Sequence, residues 1–300
     1  MSNINFKFGR KPQFFKIAKE AFNNDLNVVK TLINEGATKS EGIELAYEMQ
    51  AGEYTKNFDE LNLRRNHEIH KIINKYISDD NINDIAVFGI GEAKNWIGYD
   101  LKNINIHGIE LSYSRLKYAK KNLDKISQIN NFKLIKGDAS QKIFNDNSFD
   151  ITITLHSLEP NGNEQGSKIL KNVIDSSNKY ILLFEPDFDS AHDEMKKRMT
   201  KHDYIRNINS ELQSNNQIQI IDKFLLNIKE SSNNLTTCWV IKKKSYNSKN
   251  KPSFICPFDH DQLVEYDDCF YNKNNGLAFP KVDDFNFINR DDAFFLGLKN

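Results

Sequence analysis

The sequence feature that most constrains the fold is a series of short apolar runs between Ile85 and Leu155, each beside a glycine or a carboxylate. The first run, Ile85–Phe88, ends in Gly89-Ile90-Gly91, a pattern typical of a buried strand that turns sharply where side chains would collide with a ligand. About twenty residues later, a second run ends in Glu110. A carboxylate at the tip of this strand can accept hydrogen bonds from both hydroxyls of a ribose.

Two further runs complete the series. Phe132–Ile135 is followed by Gly137-Asp138-Ala139, and Ile151–Leu155 is preceded by Ser148-Phe149-Asp150. The glycine pair alone is a weak signal, because Lys94 stands where a dinucleotide-binding loop has its third glycine. The order of all four runs is the stronger signal.

From Asp84 to Lys243 this series resembles the class I S-adenosylmethionine-dependent methyltransferases. The resemblance implies a Rossmann-like, seven-stranded α/β sheet and S-adenosylmethionine as the cofactor. In that family the glycine turn lies against the methionine part of the cofactor, the acid after the second strand holds the ribose, and the Asp after the third strand faces the adenine amine. The cofactor-binding residues implied here are Gly89, Gly91, Glu92, Glu110, Leu111, Asp138, Ala139 and Leu155.

The first motif departs from the family pattern at two positions. Val87 stands in place of its usual acidic residue, and Ala93 in place of its last glycine. Glu92 lies just past the turn, and we expect it to substitute in part for the missing acid near the methionine ammonium.

The chain divides into four predicted segments: a helical lid (1–80), the methyltransferase domain (81–243), a linker (244–252) and a small β-rich appendage (253–300). In the first segment, apolar residues recur at helical spacing. Tyr47 and Tyr54 belong to a Tyr-x-x-Gln-Ala-Gly-x-Tyr stretch that resembles the lids of class I methyltransferases. They are predicted to contact the cofactor or the acceptor, and the alternative is that they simply pack beside a glycine turn.

The loop after the fourth strand is the predicted centre of the chemistry, because ligands of open α/β sheets bind beyond the carboxyl ends of the strands. His156 is the candidate base, since its ordinary pKa lies near neutrality. Its alternative role is to cap a helix or to pack under the cofactor. Glu159 and Asn161 are predicted to bind the acceptor or to shape the turn that contains Pro160.

A fifth strand, Tyr180–Phe184, ends in Glu185, which points to the same edge of the sheet. A following helix carries His202 and Tyr204 over the predicted pocket. These three residues are further acceptor-site candidates, and a solvated loop acid is the alternative for Glu185.

The last segment resembles the small zinc-ribbon-like domain of the tRNA-methyltransferase activator family. Cys256-Pro257, Leu277-Ala278-Phe279-Pro280 and Asp292-Ala293 match its pattern. Asp259 and Asn272 stand where the family has thiolates, so we predict a ribbon without a metal.

The composition narrows the choice of partner and compartment. The net charge is zero, which disfavours nucleic acid as a partner. Three cysteines, the absence of a signal-peptide core and the absence of a long apolar run predict a cytoplasmic protein without a membrane span. Nothing in the sequence specifies an oligomeric state.

Three functions follow from these patterns. The leading one is methyl transfer to oxygen or nitrogen of a small-molecule or surface-glycan-type acceptor. It is supported by a resemblance to a group of bacterial methyltransferases through Ser112–Lys121 and His156–Gly162. The alternatives are an RNA methyltransferase and a non-catalytic scaffold, the latter because of Val87 and Ala93.

Overall fold

The computed structural model of the protein describes residues 11–77, 82–99, 104–126, 131–229, 231–245, 249–266 and 268–297. Parts of the predicted segments therefore lie outside the described residues. These parts are 1–10 and 78–80 of the lid, 81, 100–103, 127–130 and 230 of the methyltransferase domain, 246–248 of the linker, and 267 and 298–300 of the appendage.

The N-terminal region is a set of helices: α1 (Lys11–Asn23), α2 (Val28–Asn34), α3 (Lys39–Met49), α4 (Glu53–Lys56) and α5 (Glu60–Ile77). Helices α1, α2 and α3 share a small core of their own, in which Phe14, Ala18 and Leu32 are buried. Helix α3 begins at a capping box, because the Thr38 hydroxyl accepts from the Glu41 amide and the Glu41 carboxylate accepts from the Thr38 amide. The cap fixes where α3 starts and so which of its side chains point inward.

Seven strands form the main sheet: β1 (Asp84–Phe88), β2 (Asn105–Glu110), β3 (Asn131–Lys136), β4 (Phe149–Leu155), β5 (Ser177–Glu185), β6 (Ile218–Leu225) and β7 (Thr237–Lys243). Their spatial order is β6-β7-β5-β4-β1-β2-β3. Strands β1 to β5 pair in parallel, whereas β7 is antiparallel to both β5 and β6. The predicted α/β class with a central, mostly parallel sheet is confirmed.

Both faces of this sheet are covered. Helix α6 (Tyr113–Leu123) packs on the same face as α5, and α7 (Gly162–Ser176) packs on the opposite face. Helices α8 (Asp193–Lys201) and α9 (Ile208–Ser214) lie between β5 and β6 in the chain. Strand β4 lies in the middle of the sheet, between β5 and β1, and helices cover both faces, so all seven of its residues are buried. Its apolar residues alternate with the polar residues Asp150, Thr152 and Thr154, and the Thr152 hydroxyl donates to the Val173 carbonyl at 3.0 Å.

The C-terminal residues form β8 (Val264–Tyr266), β9 (Cys269–Tyr271), β10 (Leu277–Val282), β11 (Phe285–Phe287) and β12 (Phe294–Phe295). Strand β11 pairs in parallel with β3, so the described residues build one twelve-stranded sheet. The predicted seven-stranded sheet with a separate appendage therefore needs correction. Residues 253–297, the C-terminal ribbon, cover the edge of β3, whose backbone groups would otherwise lack partners.

Polar side chains occupy the place in the ribbon where the resemblance expected thiolates. The Asp259 carboxylate accepts hydrogen bonds from Nδ2 of Asn272 at 2.9 Å and of Asn275 at 2.6 Å. Within the described ranges, no group of three or more His, Cys, Asp and Glu side chains could hold a metal ion. The zinc-ribbon likeness of this segment stays a prediction.

None of the helices in the described part of the chain combines the length and the apolar character that crossing a bilayer requires.

Candidate functional site

A cavity of about 310 Å³ lies beyond the carboxyl ends of β1, β2, β3 and β4, with residues of α3 and α4 forming its roof. Fourteen of the residues predicted for the site line this cavity. They are Tyr47, Tyr54, Gly89, Gly91, Glu92, Glu110, Leu111, Asp138, Ala139, Leu155, His156, Glu159, Asn161 and Tyr204. Glu185 and His202, the other two, are absent from its wall.

The glycine turn after β1 forms the floor. Gly89 and Gly91 have φ angles of 76° and 60°, a region that residues with a side chain rarely adopt. A Cβ atom on Gly89 would lie 2.3 Å from the Cβ of Ser157, so only glycine lets the turn approach the loop after β4. Both the Gly89 and Ile90 amides donate to the Ile109 carbonyl at 2.9 Å. These bonds hold the turn against the end of β2.

Glu110, at the end of β2, is buried, with 4% of its surface exposed. Its Oε2 accepts from the Gly91 amide at 3.0 Å, and its Oε1 accepts from the Ser112 amide at 2.9 Å. Each carboxylate oxygen has room for a second hydrogen bond. The carboxylate is therefore oriented by the backbone and can still accept from two ligand hydroxyls.

Asp138 follows β3 and forms a local turn, in which its Oδ1 accepts from the Ser140 amide at 2.8 Å. Its Oδ2 has no hydrogen-bond partner among the residues that the structure describes. The neighbouring Ala139 carbonyl accepts from Nδ2 of Asn172 on α7 at 2.9 Å. This loop has one carboxylate oxygen left for a ligand.

Glu92 lines the cavity, and its carboxylate also contacts the lid. Its Oε1 accepts from the Gly52 amide at 2.8 Å and its Oε2 from the Thr55 amide at 2.7 Å. These two amides lie at the start of α4, where backbone N–H groups have no partner within the helix. Glu92 therefore anchors the lid, and its contact with a ligand ammonium stays a prediction.

Arg115 is a cavity residue that the sequence interpretation missed. Its guanidinium carbon lies 4.4 Å from the centre of the Tyr47 ring and 5.0 Å from that of Tyr54, and its Nη1 is 3.7 Å from Oε2 of Glu110. Burial alone would lower the pKa of Arg115, but the nearby carboxylates of Glu110 and Glu92 raise it, so the guanidinium stays charged. The available signal was its position four residues before the buried Ala119, on the inner face of α6.

The two lid tyrosines beside Arg115 are both uncharged. Burial raises the pKa of Tyr47 and of Tyr54, with only partial compensation from Arg115. Both phenols therefore stay protonated at neutral pH, and the Tyr54 hydroxyl donates to Oε1 of Gln50 at 3.4 Å.

His156 and Glu159 form a hydrogen-bonded pair in the loop after β4. The His156 Nδ1 lies 2.6 Å from Oε2 of Glu159, and its Nε2 lies 2.7 Å from the Thr236 hydroxyl oxygen. Burial disfavours the Glu159 carboxylate, but hydrogen bonding and charge from His156, with the charge of Arg198, hold its pKa below the usual range. A neutral imidazole that donates Nδ1–H to Glu159 presents its Nε2 lone pair to the hydroxyl of Thr236.

Glu185 lies beneath this loop. Its Oε1 accepts from the Ser157 amide at 2.9 Å and the Leu158 amide at 3.1 Å, and its Oε2 from the Glu159 amide at 3.2 Å. Burial raises its pKa to about 7. The predicted contact of Glu185 with the acceptor needs correction, because the side chain is fully buried and holds the backbone of the loop in place.

The remaining acceptor candidates have different surroundings. The Tyr204 hydroxyl accepts from Nη2 of Arg198 at 3.1 Å, and its pKa rises to about 12 mainly through burial. His202 lies outside the cavity wall with its ring 5.6 Å from that of Tyr204, so its predicted acceptor contact also needs correction. Asn161 donates from Nδ2 to the Ser157 carbonyl at 2.6 Å, which braces the loop.

Three polar atoms of the cavity wall indicate that the cavity suits a polar ligand. Nε of Arg115, Oγ of Ser157 and Oδ1 of Asn234 are buried and have no hydrogen-bond partner within the described ranges. Buried polar groups are normally satisfied, so these three atoms are available to a polar ligand in the cavity. Together with Glu110, Asp138 and the close approach that the glycine turn allows, they fit an adenosyl compound that carries an amino-acid tail.

Comparison with known proteins gives a family match and similar folds. Residues 87–173 match the family model described as a methyltransferase domain. No curated protein matches the sequence significantly. Magnesium protoporphyrin IX methyltransferase from Synechocystis PCC 6803, solved with bound S-adenosylmethionine, is 12% identical with a TM-score of 0.50, covering 70% of this chain and 99% of that one.

A second solved structure is similar in the same way. The N-methyltransferase NodS from Bradyrhizobium japonicum WM9, in complex with S-adenosyl-L-homocysteine, is 8% identical with a TM-score of 0.54, and the alignment covers 67% of this chain and 98% of that one. At these identities the likeness concerns the fold and leaves the acceptor open. The family match over β1 to α7 and a cavity that fits an adenosyl ligand identify the protein as an S-adenosylmethionine-dependent methyltransferase, with S-adenosylmethionine as its cofactor.

Proposed function

We propose that the protein methylates an oxygen or a nitrogen of a small-molecule or surface-glycan-type acceptor, with His156 as the general base. The observation that carries this proposal is the 2.6 Å contact between His156 Nδ1 and Glu159, in a loop that lines the same cavity as the glycine turn. A base is required only when the accepting atom carries a proton.

The cofactor is proposed to bind along the carboxyl ends of β1, β2 and β3. Glu110 accepts from the ribose hydroxyls, Asp138 accepts from the adenine amine, and the turn at Gly89 and Gly91 faces the methionine part. Leu111, Ala139 and Leu155 supply apolar contacts in the same wall. When bound, S-adenosylmethionine would supply a methyl group on a positively charged sulfur, so that the methyl passes to a nucleophile in one step and the sulfur leaves as a neutral thioether.

The protein's own contribution is orientation and proton removal. Glu159 holds the imidazole of His156 through Nδ1, so Nε2 is the atom that can take a proton. The Thr236 hydroxyl lies 2.7 Å from that nitrogen, and an acceptor hydroxyl or amine would take its place. Because Glu159 stays ionised, it stabilises the imidazolium that forms. A positioned base of this kind typically contributes about 10²–10⁴-fold in rate.

The roof of the cavity favours a small acceptor over a structured RNA. Tyr47, Tyr54 and Tyr204 line it, and Lys39 at the start of α3 forms an ion pair with Asp203 just after α8. This pair joins the lid to the segment on the other side of the cavity. The net charge of zero also provides no general attraction for phosphates.

Binding and turnover test the proposal in sequence. Calorimetric titration with S-adenosylmethionine and S-adenosylhomocysteine should show micromolar binding of both, after which sugar nucleotides and small amines are screened for release of S-adenosylhomocysteine. His202→Ala serves as the matched control for His156→Ala, because His202 lies outside the cavity wall. Salt-sensitive retention on RNA, together with turnover on RNA alone, would replace the small-acceptor proposal with the RNA alternative.

A further inference from the structure

The C-terminal ribbon supports the loop that carries Asp138 from behind. The Ile288 amide donates to the Lys136 carbonyl at 2.9 Å, and the Ile288 carbonyl lies 3.0 Å from where a Cβ on Gly137 would be. On the far side of the loop, Nε2 of Gln141 donates to Oδ1 of Asn289 at 2.8 Å. The loop that lines the cavity at this point is therefore backed by a second segment, which belongs to the ribbon.

Lys136, the last residue of β3, joins this wall to the roof. Only 5% of its side chain is exposed, and its Nζ lies 2.7 Å from Oδ2 of Asp292 in the ribbon and 3.2 Å from Oε1 of Glu44 on α3. Burial would lower the pKa of Lys136, but Glu44 and Asp292 raise it, so the ammonium stays charged. Loss of either carboxylate leaves a buried charge with half of its partners, which is costly.

Helix α3 connects the contact between Lys136 and Glu44 to the ligand site. Glu44 directly follows Ile43 and lies three residues before Tyr47, and both neighbours line the cavity. The Tyr47 ring in turn contacts the guanidinium of Arg115. One buried ammonium thus connects the ribbon, the Asp138 loop and the roof over the glycine turn.

We infer that Lys136 is a positioning residue through which the C-terminal ribbon sets the geometry of the cofactor site. The ribbon is then a part of the methyltransferase site and acts through Asp292, Lys136 and Glu44. This inference rests on the proposed position of the cofactor.

The test is a pair of charge-removing substitutions in the full chain. Asp292→Asn weakens the contact to Lys136, whereas Asp284→Asn removes another ribbon carboxylate, which pairs with Lys120 on α6 at 3.4 Å and is largely exposed. We expect Asp292→Asn to weaken S-adenosylhomocysteine binding by about 5-fold or more, within the usual range of coupling between two sites, and Asp284→Asn to leave it unchanged. Equal affinities for Asp292→Asn and the unsubstituted protein would overturn the inference, and so would equal losses in both variants.

Hydrogen exchange separates coupling from a general loss of stability. If Lys136 couples the two regions, S-adenosylhomocysteine protects the amides of residues 288–292 in the unsubstituted protein, although none of them lines the cavity. That protection should be lost in Asp292→Asn and kept in Lys136→Arg, which retains the charge. Should Asp292→Asn fail to fold, Glu44→Gln breaks the same connection from the other side. Unchanged affinity in Glu110→Ala would instead refute the proposed cofactor position, a result that the ribbon substitutions cannot produce.

Discussion

The carboxyl group of Glu185 is expected to determine the conformation of the loop after β4, and replacing it tests this directly. In Glu185→Ala, the amides of Ser157, Leu158 and Glu159 lose their acceptor at once. A buried donor without a partner costs about 1–3 kcal/mol, so three of them predict a loss of about 3–6 kcal/mol in the free energy of unfolding, allowing for partial access of water.

Glu185→Gln is the matched variant, because it keeps the shape of the side chain and one oxygen. That oxygen can still accept from the amides of Ser157 and Leu158, whereas the new NH₂ group faces the Glu159 amide, donor against donor. The structure therefore predicts a smaller loss, about 1–3 kcal/mol, from a single unsatisfied amide.

Urea denaturation at constant pH measures both losses, and S-adenosylhomocysteine titration reports on the loop. We expect the order of stability to be the unsubstituted protein, then Glu185→Gln, then Glu185→Ala, with cofactor affinity falling in the same order. The reasoning is refuted if Glu185→Ala is as stable as the unsubstituted protein, or if Glu185→Gln is the more damaging of the two.

Three further predictions concern pH, the ribose and the base. Burial raises the pKa of Glu185 from 4.5 to about 7, so between these pH values the folded protein keeps a proton that the unfolded chain releases. The stabilisation that this proton provides is therefore greatest below pH 4.5 and is lost as the pH rises to about 7. Denaturation at several pH values should show that the difference in free energy of unfolding between the unsubstituted protein and Glu185→Gln becomes smaller as the pH rises across this interval. A constant difference would contradict the assignment. Glu110→Ala removes charged hydrogen bonds worth about 1.5–3 kcal/mol each, so titration should show S-adenosylhomocysteine affinity at least about tenfold weaker; unchanged affinity would exclude the ribose contact. His156→Ala should lower turnover by about 10²–10⁴-fold, with the smallest loss at high pH, and full turnover at every pH would eliminate the base.

Much of the sheet and the centre of the site follow from local sequence patterns. Short apolar runs that end in glycine or a carboxylate specify buried strands, and parallel strands bring their carboxyl ends to one edge. That is why the sequence places Gly89, Gly91, Glu110, Asp138 and the loop after β4 at one cavity. Each of these residues takes its position from its own strand.

The partners of charged side chains could not be predicted in this way. Glu92 follows the glycine turn, yet its carboxylate binds amides at Gly52 and Thr55, about forty positions earlier in the chain. Arg115 sits on a helix rich in lysine, and its burial between two lid tyrosines depends on how the lid packs. Such contacts are set by the relative positions of elements distant in sequence, and local periodicity carries no information about them.

The sequence by itself determined the α/β class and the edge of the sheet where the cavity lies, because strand, turn and strand end are local features. The individual cofactor-binding residues in its wall were implied by the resemblance to class I methyltransferases. The tertiary structure alone decided that Glu185 supports the loop from below and that the C-terminal ribbon continues the main sheet. The pairing of β11 with β3 involves three residues on each strand, separated by about 150 positions in the chain. Hydrogen bonds between backbones depend little on side-chain identity, so a pairing this short and this distant leaves almost no signal in the sequence.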